Sequence, residues 1–366
     1  MKLVCNKAEL SKAINTVQSA VSNKSTLPVL GNLLFEADKN ALIITGTDLE
    51  IGLRVKAHVE VITPGSVTIP AKKLADIVRE CPDSDIEISV KDGTKIEIKC
   101  GKGHFKIMGI SAEDFPNLPV QKQEKSVEIE DKILARMIKK TAFSVSNEET
   151  RYVLNGALFN VDGKKVRMVS TDGHRLSYIE RELSKSMGAV SAIVPTKALN
   201  ELMKILDNSD EVVTVYFTEN HLFVEKNSTM LVSRLIDGQF PNYEQVIPKK
   251  GEIMFKAHKE ELAQATKRVS LMASDRANSI KFSLKDQLLT IHSNTPDVGE
   301  AEEDIEVEYS GAEMSIAFNA KYVLEAIKAV DTEKIEFRLS TPLSPGLVLP
   351  VEENPDSKYV VMPMRT

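Results

Sequence analysis

The chain has 366 residues, 42% of them hydrophobic and 27% charged, with a formal net charge of −6; this is length for two or three domains and the balance of an ordinary globular protein. No run approaches ~18 consecutive apolar residues, which excludes a helical membrane span, and MKLVCNKAEL at the start carries no apolar signal segment. Six histidines form no HxxxH pair and the cysteines (Cys5, Cys81, Cys100) no CxxC, so neither metal nor cofactor is expected, and the cysteines read as reduced thiols of a cytoplasmic protein rather than a disulfide frame.

The first predicted element is an amphipathic helix, KAELSKAINTVQSA, at 7–20. Residues 32–48, NLLFEADKNALIITGTD, follow with the alternation and central turn of a β-hairpin. VTIPAKKLADIV at 67–78 is a short strand passing into a helix with apolar residues near i, i+3, i+4 and i+7. Phe115-Pro116 closes this first series, and the polar VQKQEKSV at 120–127 separates it from the next.

The same order then returns twice. The second series has the helix EDKILARMIKKTAF, the hairpin GALFNVDGKKVRMVSTD, the strand and helix AIVPTKALNELM, and Phe240-Pro241. After IPKKGE at 247–252 come KEELAQATKRVSLM, SIKFSLKDQLLTIHSNT, IAFNAKYVLEAI and Met362-Pro363. Phe35, Phe159 and Phe282 fall at intervals of 124 and 123, and Pro70, Pro195 and Asn319 at 125 and 124. The repeat predicts an α+β chain of three tandem domains at 1–122, 123–248 and 249–366. A chain that repeats its architecture throughout builds a surface or a ring more often than one catalytic site.

Taken alone, a charge of −6 argues against nucleic acid. Its distribution argues otherwise. The six predicted helices together carry a net +7, so everything outside them is strongly acidic. Helices facing one way would form a cationic track that holds phosphates with little reading of base edges. Six helices packed ~8–10 Å apart enclose an opening of only about 10 Å, too narrow for a duplex; twelve enclose roughly 30 Å. A ring around DNA therefore needs two chains.

Residues 171–177, TDGHRLS, group an acid, a base and a hydroxyl. A hydrolase using Asp172 and His174 is one reading, and a repeat scaffold that binds only protein is another. Copy one has TDLEIGL and copy three NTPDVGE at the matching place, so His174 and Arg175 occur in the second copy alone. Adjacency along a turn makes no nucleophile–base relay, and no catalytic residue is assigned. No phosphate-binding loop is present.

TLPVLGNLLF, ITGTDLE, RYVLNGALF, STDGHRLS, FPNYEQVIP, GEAEEDIEVEY, FNAKYVLEAI and YVVMPMR are together similar to the bacterial sliding clamps, the beta subunits of DNA polymerase III, over the full length. The resemblance implies a non-catalytic processivity factor, a head-to-tail homodimeric ring of six similar domains with helices inside and antiparallel sheets outside. Implied partners are duplex DNA without sequence preference, the replicative polymerase alpha subunit, an ATP-driven clamp loader, and other polymerases and repair proteins carrying clamp-binding peptides. No membrane is implied.

By that resemblance, partner peptides dock between copies two and three. Leu154, Thr171, Gly173, His174, Arg175, Leu176, Pro241 and Val246 match there, with Asn319, Tyr322, Leu343, Val360, Met362, Pro363, Met364 and Arg365 from the last copy. Such Leu, Val, Pro and Met side chains suit an adaptable apolar pocket. DNA contacts fall to Lys24, Lys72, Asn147, Tyr152 and Lys197. The ring joint falls to Lys73, His104 and Phe105 against Leu271, Met272, Glu300, Glu302 and Glu303. Gln245 stands where some members have Arg, Thr366 where some have Leu, Lys24 where some have Arg, and Val153 where some have a second aromatic.

Overall fold

A computed structural model describes residues 1–22, 26–39, 41–120, 125–249, 251–274 and 277–365. The first copy comprises β1 (Lys2–Asn6), α1 (Lys7–Gln18), β2 (Asn32–Asp38), β3 (Ala41–Thr47), β4 (Ile51–His58), β5 (Glu60–Thr63), β6 (Gly65–Pro70), α2 (Ala71–Glu80), β7 (Asp85–Lys91), β8 (Lys95–Cys100) and β9 (Gly103–Met108). The second comprises β10 (Lys125–Glu130), α3 (Asp131–Thr141), the long strands β11 (Gly156–Thr171) and β12 (Arg175–Pro195), α4 (Thr196–Ile205), β13 (Val212–Phe217), β14 (His221–Lys226) and β15 (Thr229–Arg234). The third comprises β16 (Ile253–His258), α5 (Lys259–Val269), β17 (Ser279–Lys285), β18 (Leu288–Thr295), β19 (Gly299–Glu306), β20 (Met314–Asn319), α6 (Ala320–Ala329), β21 (Lys334–Leu339), β22 (Gly346–Pro350) and β23 (Ser357–Val361).

The helical periodicities fold as they read, whereas 156–172, read as a hairpin like 32–48 and 279–295, is the one long strand β11, paired with β12 along its length. α2 buries Ala71, Leu74, Ala75 and Val78, and α5 buries Leu262, Ala265, Thr266 and Val269, the i, i+3, i+4, i+7 stripe of a helix lying on a sheet. Phe35, Phe159 and Phe282 are each at most 2% exposed, one at the heart of each copy. Pro70, Pro195 and Asn319 stand at the strand-to-helix junctions, where the Asn319 carboxamide oxygen accepts from the amides of Lys321 (3.0 Å) and Tyr322 (3.3 Å) as an N-cap.

Two sheets are shared between copies. One runs β10-β13-β14-β15-β4-β3-β2-β6 and the other β11-β12-β23-β22-β21-β16. Two end sheets, β5-β1-β7-β8-β9 and β19-β18-β17-β20, take strands from the first and third copies alone. Because sheets are shared, the chain divides into two compact units, Met1–Ala135 with Lys197–Leu235, and Arg136–Thr196 with Ile236–Thr366, which both draw on the second copy.

The joins follow one register. β15 lies antiparallel to β4 with Thr229 opposite Val55 and Ser233 opposite Ile51. β23 lies antiparallel to β12 with Ser357 opposite Ile179 and Val361 opposite Arg175. Val55 and Ile179 are equivalent residues, since each faces the residue nine beyond its hairpin phenylalanine: Ile44 after Phe35, Met168 after Phe159.

Each copy also fastens its second helix end to its first helix, with different chemistry. Lys7 donates to the carbonyls of Arg79 (3.2 Å) and Cys81, and Lys259 to that of Val330 (2.5 Å), cations placed at helix C-termini. In the second copy the matching residue is Asp131, fully buried, which accepts from the amides of Asp207 (3.3 Å) and Asn208 (2.7 Å). This reversed charge is balanced by buried Lys226, 2.7 Å from Asp131 and 2.6 Å from Asp207. Burial works to lower the Lys226 pKa, but its hydrogen bonds to both carboxylates hold it above the usual lysine range.

One expectation is corrected here. Cys81 and Cys100 form a disulfide, with Cα atoms 5.9 Å apart, rather than standing as reduced thiols. The end of α2 returns against the end of β8, a proximity that a separation of 19 residues does not announce. Cys5 alone is free; burial pushes its thiol up to about 12. Among the described residues no helix is long and apolar enough to cross a membrane, and no group of His, Cys, Asp or Glu could hold a metal ion.

Candidate functional site

The TDGHRLS turn is built by Thr171 and Asp172. The Thr171 hydroxyl donates to the Arg175 carbonyl (2.6 Å) and accepts from the Gly173 amide (3.1 Å). One Asp172 carboxylate oxygen accepts from the amides of His174 (2.9 Å) and Arg175 (3.1 Å), and the other from Arg175 Nε (3.0 Å). Gly173 takes φ +88°, and a Cβ there would lie 2.7 Å from Arg151 Nη1. Copy one makes the same turn: Thr47 donates to the Ile51 carbonyl (2.7 Å), and Asp48 accepts from the amides of Glu50 (3.1 Å) and Ile51 (3.0 Å). The Asp172 carboxylate is therefore a turn-forming group that exists in duplicate. It is spent on amides and a guanidinium, with no contact to His174's ring that would make a relay.

Arg175 is a buried pin, 8% exposed. Besides Asp172 it pairs with Glu325 on α6 and donates to the Phe143 carbonyl (2.5 Å). Its guanidinium carbon stands 5.5 Å from the Phe143 ring centroid and 4.5 Å from that of Tyr322. Three elements are thereby tied beneath the turn. His174 stays exposed and stacks on Tyr322, centroids 6.3 Å apart at 16°. The Met362 amide donates to the His174 carbonyl (2.9 Å) and the Met364 amide to the Ala317 carbonyl (2.8 Å), which lay the C-terminal segment alongside.

An apolar floor adjoins this wall. Leu158, Val169, Leu176, Leu347, Leu349 and Val360 form one buried cluster, with Tyr178, Phe240, Tyr243 and Ile247 packed against it. Val246 (39% exposed), Leu343 (72%) and Met362 (36%) leave large apolar surface open to solvent. Pro241, Gly173 and Arg365 are exposed, and Thr171, Asn319, Tyr322, Pro363 and Met364 half-buried. Leu154, Arg175, Leu176 and Val360 are buried. The expected cleft residues thus separate into a floor and a rim within one compact unit. Sequence reasoning missed Leu158, Val169, Leu347 and Leu349, which read only as ordinary strand residues, and it gave no sign that Arg175 faces inward.

The expected DNA residues stand on different elements. Lys24 lies outside the described residues. Lys72 on α2 and Asn147 are exposed, and Tyr152 is 59% exposed. Lys197 on α4 is held by Asp48 and by Glu50 (2.8 Å). Burial works to lower its pKa, but those two hydrogen bonds prevail and raise it. Lys12, Lys139, Lys267, Lys321 and Lys328 are further exposed cations on the helices.

Of the expected joint residues, His104, Phe105, Glu300, Glu302 and Glu303 sit on strands that are sheet edges among the described residues, whereas Lys73 lies on α2 and Leu271 and Met272 in the turn after α5. β9 hydrogen-bonds β8 alone and carries exposed His104, Phe105 and Lys106. β19 hydrogen-bonds β18 alone and carries Glu300, Glu302, Glu303, Asp304 and Glu306. Lys73 and Glu302 are exposed; Glu300 meets His292 (2.7 Å) and Glu303 meets Arg268 Nε (2.9 Å). The hydrogen bond from His292 draws the Glu300 carboxyl below its ordinary range, and that from Arg268 does the same for Glu303. Leu271 is 69% exposed and Met272 half-buried.

Comparison with known proteins gives one consistent result. Residues 1–119, 128–242 and 244–365 match the families described as the N-terminal, central and C-terminal domains of the DNA polymerase III beta subunit. The chain is 35% identical over 367 residues to the beta sliding clamp of Escherichia coli K12 and 33% identical over 366 residues to that of Vibrio cholerae, covering all of each. Its structure resembles the sliding clamp of Pseudomonas aeruginosa bound to griselimycin (TM-score 0.96, 34% identity, all of both chains) and that of Bacillus subtilis (TM-score 0.96, 29% identity, 100% and 99% covered).

Proposed function

Since the chain belongs to the DNA polymerase III beta-subunit family, the beta sliding clamps, we infer that two copies close head to tail into a ring that encircles duplex DNA. The chain is a sliding clamp, a non-catalytic accessory subunit that gives a replicative polymerase its processivity. Its tandem domains are assigned to 1–122, 123–248 and 249–366.

One observation carries the head-to-tail ring. The internal joins pair equivalent strands, β4 with β15 and β12 with β23. Their remaining equivalents, β19 and β9, each lie at the edge of an end sheet, with no partner on the outer side among the described residues. Ile291, nine beyond Phe282, faces Glu303, which makes Glu303 the counterpart of Val55 and Ile179. Gly103, opposite Cys100 as Thr229 is opposite Lys226, is the counterpart of Thr229 and Ser357. Carrying the register across sets Glu300 opposite the partner's Lys106, Ala301 opposite Phe105, and Glu302 opposite His104.

That assignment makes sense of two exposed apolar side chains. Phe105 is 37% exposed, while its counterparts Leu231 and Tyr359 are at most 1% exposed. Phe143, at the end of the first helix of copy two, packs on Tyr359 with centroids 6.1 Å apart. Its counterpart after α5 is Leu271, so Leu271 would cover Phe105 of the neighbouring chain. Apolar contact flanked by opposite charges, with both edges satisfied, suits a closed heterologous joint.

The cleft over Leu176 and Val360, rimmed by His174, Tyr322, Leu343 and Met362, is assigned to clamp-binding peptides of the replicative polymerase alpha subunit, the clamp loader, and other polymerases and repair proteins. Lys24, Lys72, Asn147, Tyr152 and Lys197 are assigned to the duplex, read without sequence preference, and the chain to the cytoplasm. The deciding experiment compares retention on nicked circular and linear DNA after loading. Retention on circles with loss from linear ends supports the ring; equal retention on both overturns it.

A further inference from the structure

The strand behind each joining strand is fastened differently in copies one and two. In copy two Lys226 reaches from β14 to Asp131, to Asp207 and to the Ile205 carbonyl (3.4 Å) at the end of α4. Copy one has Cys100 at that place, closing the β8–β9 turn opposite Gly103 as Lys226 closes its own turn opposite Thr229. Cys100 also reaches the end of the second helix of its copy, but through a covalent bond to Cys81. Where one copy has an ion pair the other has a disulfide, the fastening that a thiol undoes.

That bond lies against β9. Paired residues of β8 and β9 share a face, so Ile98 and Cys100 lie on one face with Phe105 and Gly103. A Cβ at Gly103 would lie 3.1 Å from Phe105 Cε2 and 3.4 Å from Cys100 Sγ, so the ring and the sulfur flank one backbone atom. The turn rests on the residue after Cys81: Gly101 takes φ +54°, and a Cβ there would lie 3.0 Å from Pro82 Cγ. Cys81 and Cys100 are 4% and 3% exposed, while their chain neighbours Pro82, Gly101 and Lys102 are exposed, so local opening of one short turn admits a reductant. Cys5 takes no part: it faces Ile86, and Ile86 faces Cys100, which puts it two strands or roughly 10 Å away.

We propose that Cys81 and Cys100 form a thiol–disulfide switch on the ring joint: oxidised, the pair holds β9 ready for the neighbouring chain; reduced, it frees β9 and loosens the ring. The inference rests on β9 being a joint strand, as assigned above. A dithiol reductant acts by thiolate attack on one sulfur, and the other leaves as a thiolate that takes a proton. The second thiol of the reductant then resolves the mixed disulfide, so two electrons and two protons pass to the pair and the reductant departs as a disulfide. In a reducing compartment a disulfide is of the transient or sensing kind. Bond and joint are linked reciprocally: a bond that favours closure is itself favoured by closure.

The test compares the full chain, oxidised and after dithiothreitol, by sedimentation over a dilution series, with maleimide mass labelling of the denatured chain to count thiols. One free thiol, Cys5, is expected before reduction and all three after it. Reduction should raise the dimer dissociation constant by about tenfold, because an edge held in its bound form binds more tightly. Cys81→Ser/Cys100→Ser should show the raised value with and without dithiothreitol, and Cys5→Ser should respond as the wild type does. Hydrogen exchange should quicken over 101–108 on reduction and stay unchanged over β1 and β7. A full set of free thiols after mild oxidation overturns the proposal, and so does a dimer indifferent to reduction. Exchange that quickens through β1 and β7 as well makes the bond a brace of the whole end sheet and overturns it too. Absence of a dimer in either state overturns the ring reading, and this proposal with it.

Discussion

The guanidinium carbon of Arg175 lies 4.5 Å from the ring centroid of Tyr322, while the same side chain pairs with Asp172 at 3.0 Å and with Glu325. One buried cation thus closes a turn of the second copy against a helix of the third. Replacing it by Ala leaves Asp172 half-buried without its partner, so Arg175→Ala should cost about 3 kcal/mol in urea unfolding and weaken peptide binding through loss of shape. Arg175→Lys should recover less than half, because an ammonium cannot both stack and fork. A change below about 0.5 kcal/mol would remove the pin from this account.

His174 is exposed and makes no acid–base contact with Asp172, whose oxygens are taken by amides and Arg175. His174→Ala should therefore leave unfolding within about 0.5 kcal/mol of wild type while weakening a clamp-binding peptide about tenfold in fluorescence anisotropy. Loss of a hydrolytic turnover in this variant would instead revive the catalytic reading.

The inferred ring register makes a charge-reversal test specific. Lys106→Glu or Glu300→Lys alone sets like charges opposite each other and should shift sedimentation from dimer toward monomer. The double variant should restore the dimer. Phe105→Ala and Leu271→Ala should each raise the dimer dissociation constant by about tenfold to a hundredfold without lowering monomer stability. Charge reversal at Lys106 with no effect on assembly would rule out the register.

Acid should weaken both compact units. Glu180 is held down to about 2: burial pushes it up, but Arg167 (2.6 Å), Lys165 (3.0 Å) and Tyr178 (2.9 Å) hydrogen-bond its charged form and win. Asp207 is held down to about 2 by its hydrogen bond to Lys226. Both groups bind their proton more weakly folded than unfolded. Their contribution is complete above about pH 5 and is lost as pH falls toward 2. Glu180→Gln should be less stable than wild type at pH 7 and converge with it near pH 2, read from urea midpoints across pH; a constant difference would deny the linkage.

The threefold plan was legible because a hairpin phenylalanine and a strand-to-helix junction recur at near-constant spacing. Side-chain partnerships were not, because they are made by residues remote in sequence. Arg175 finds Glu325 150 positions away, and Lys197, expected as a DNA contact, finds Glu50 147 away. The Cys81–Cys100 bond was hidden for the same reason. At the cleft, apolar rim residues such as Met362 stood out beside Pro363, whereas the floor residues Val169 and Leu347 carry no mark beyond strand alternation. Those are visible only once β11, β12, β23 and β22 lie side by side.

β9 and β19 are unlike strands with opposite charge, so in the proposed ring each chain would carry a donor end and an acceptor end. Such ends have no internal stop: subunits meeting at an angle that does not return to the start would add one after another into an open polymer. Closure after two subunits consumes both ends at once. A substitution that changes the angle at this joint, without weakening its contacts, would therefore give fibres rather than monomers, and electron microscopy would show them.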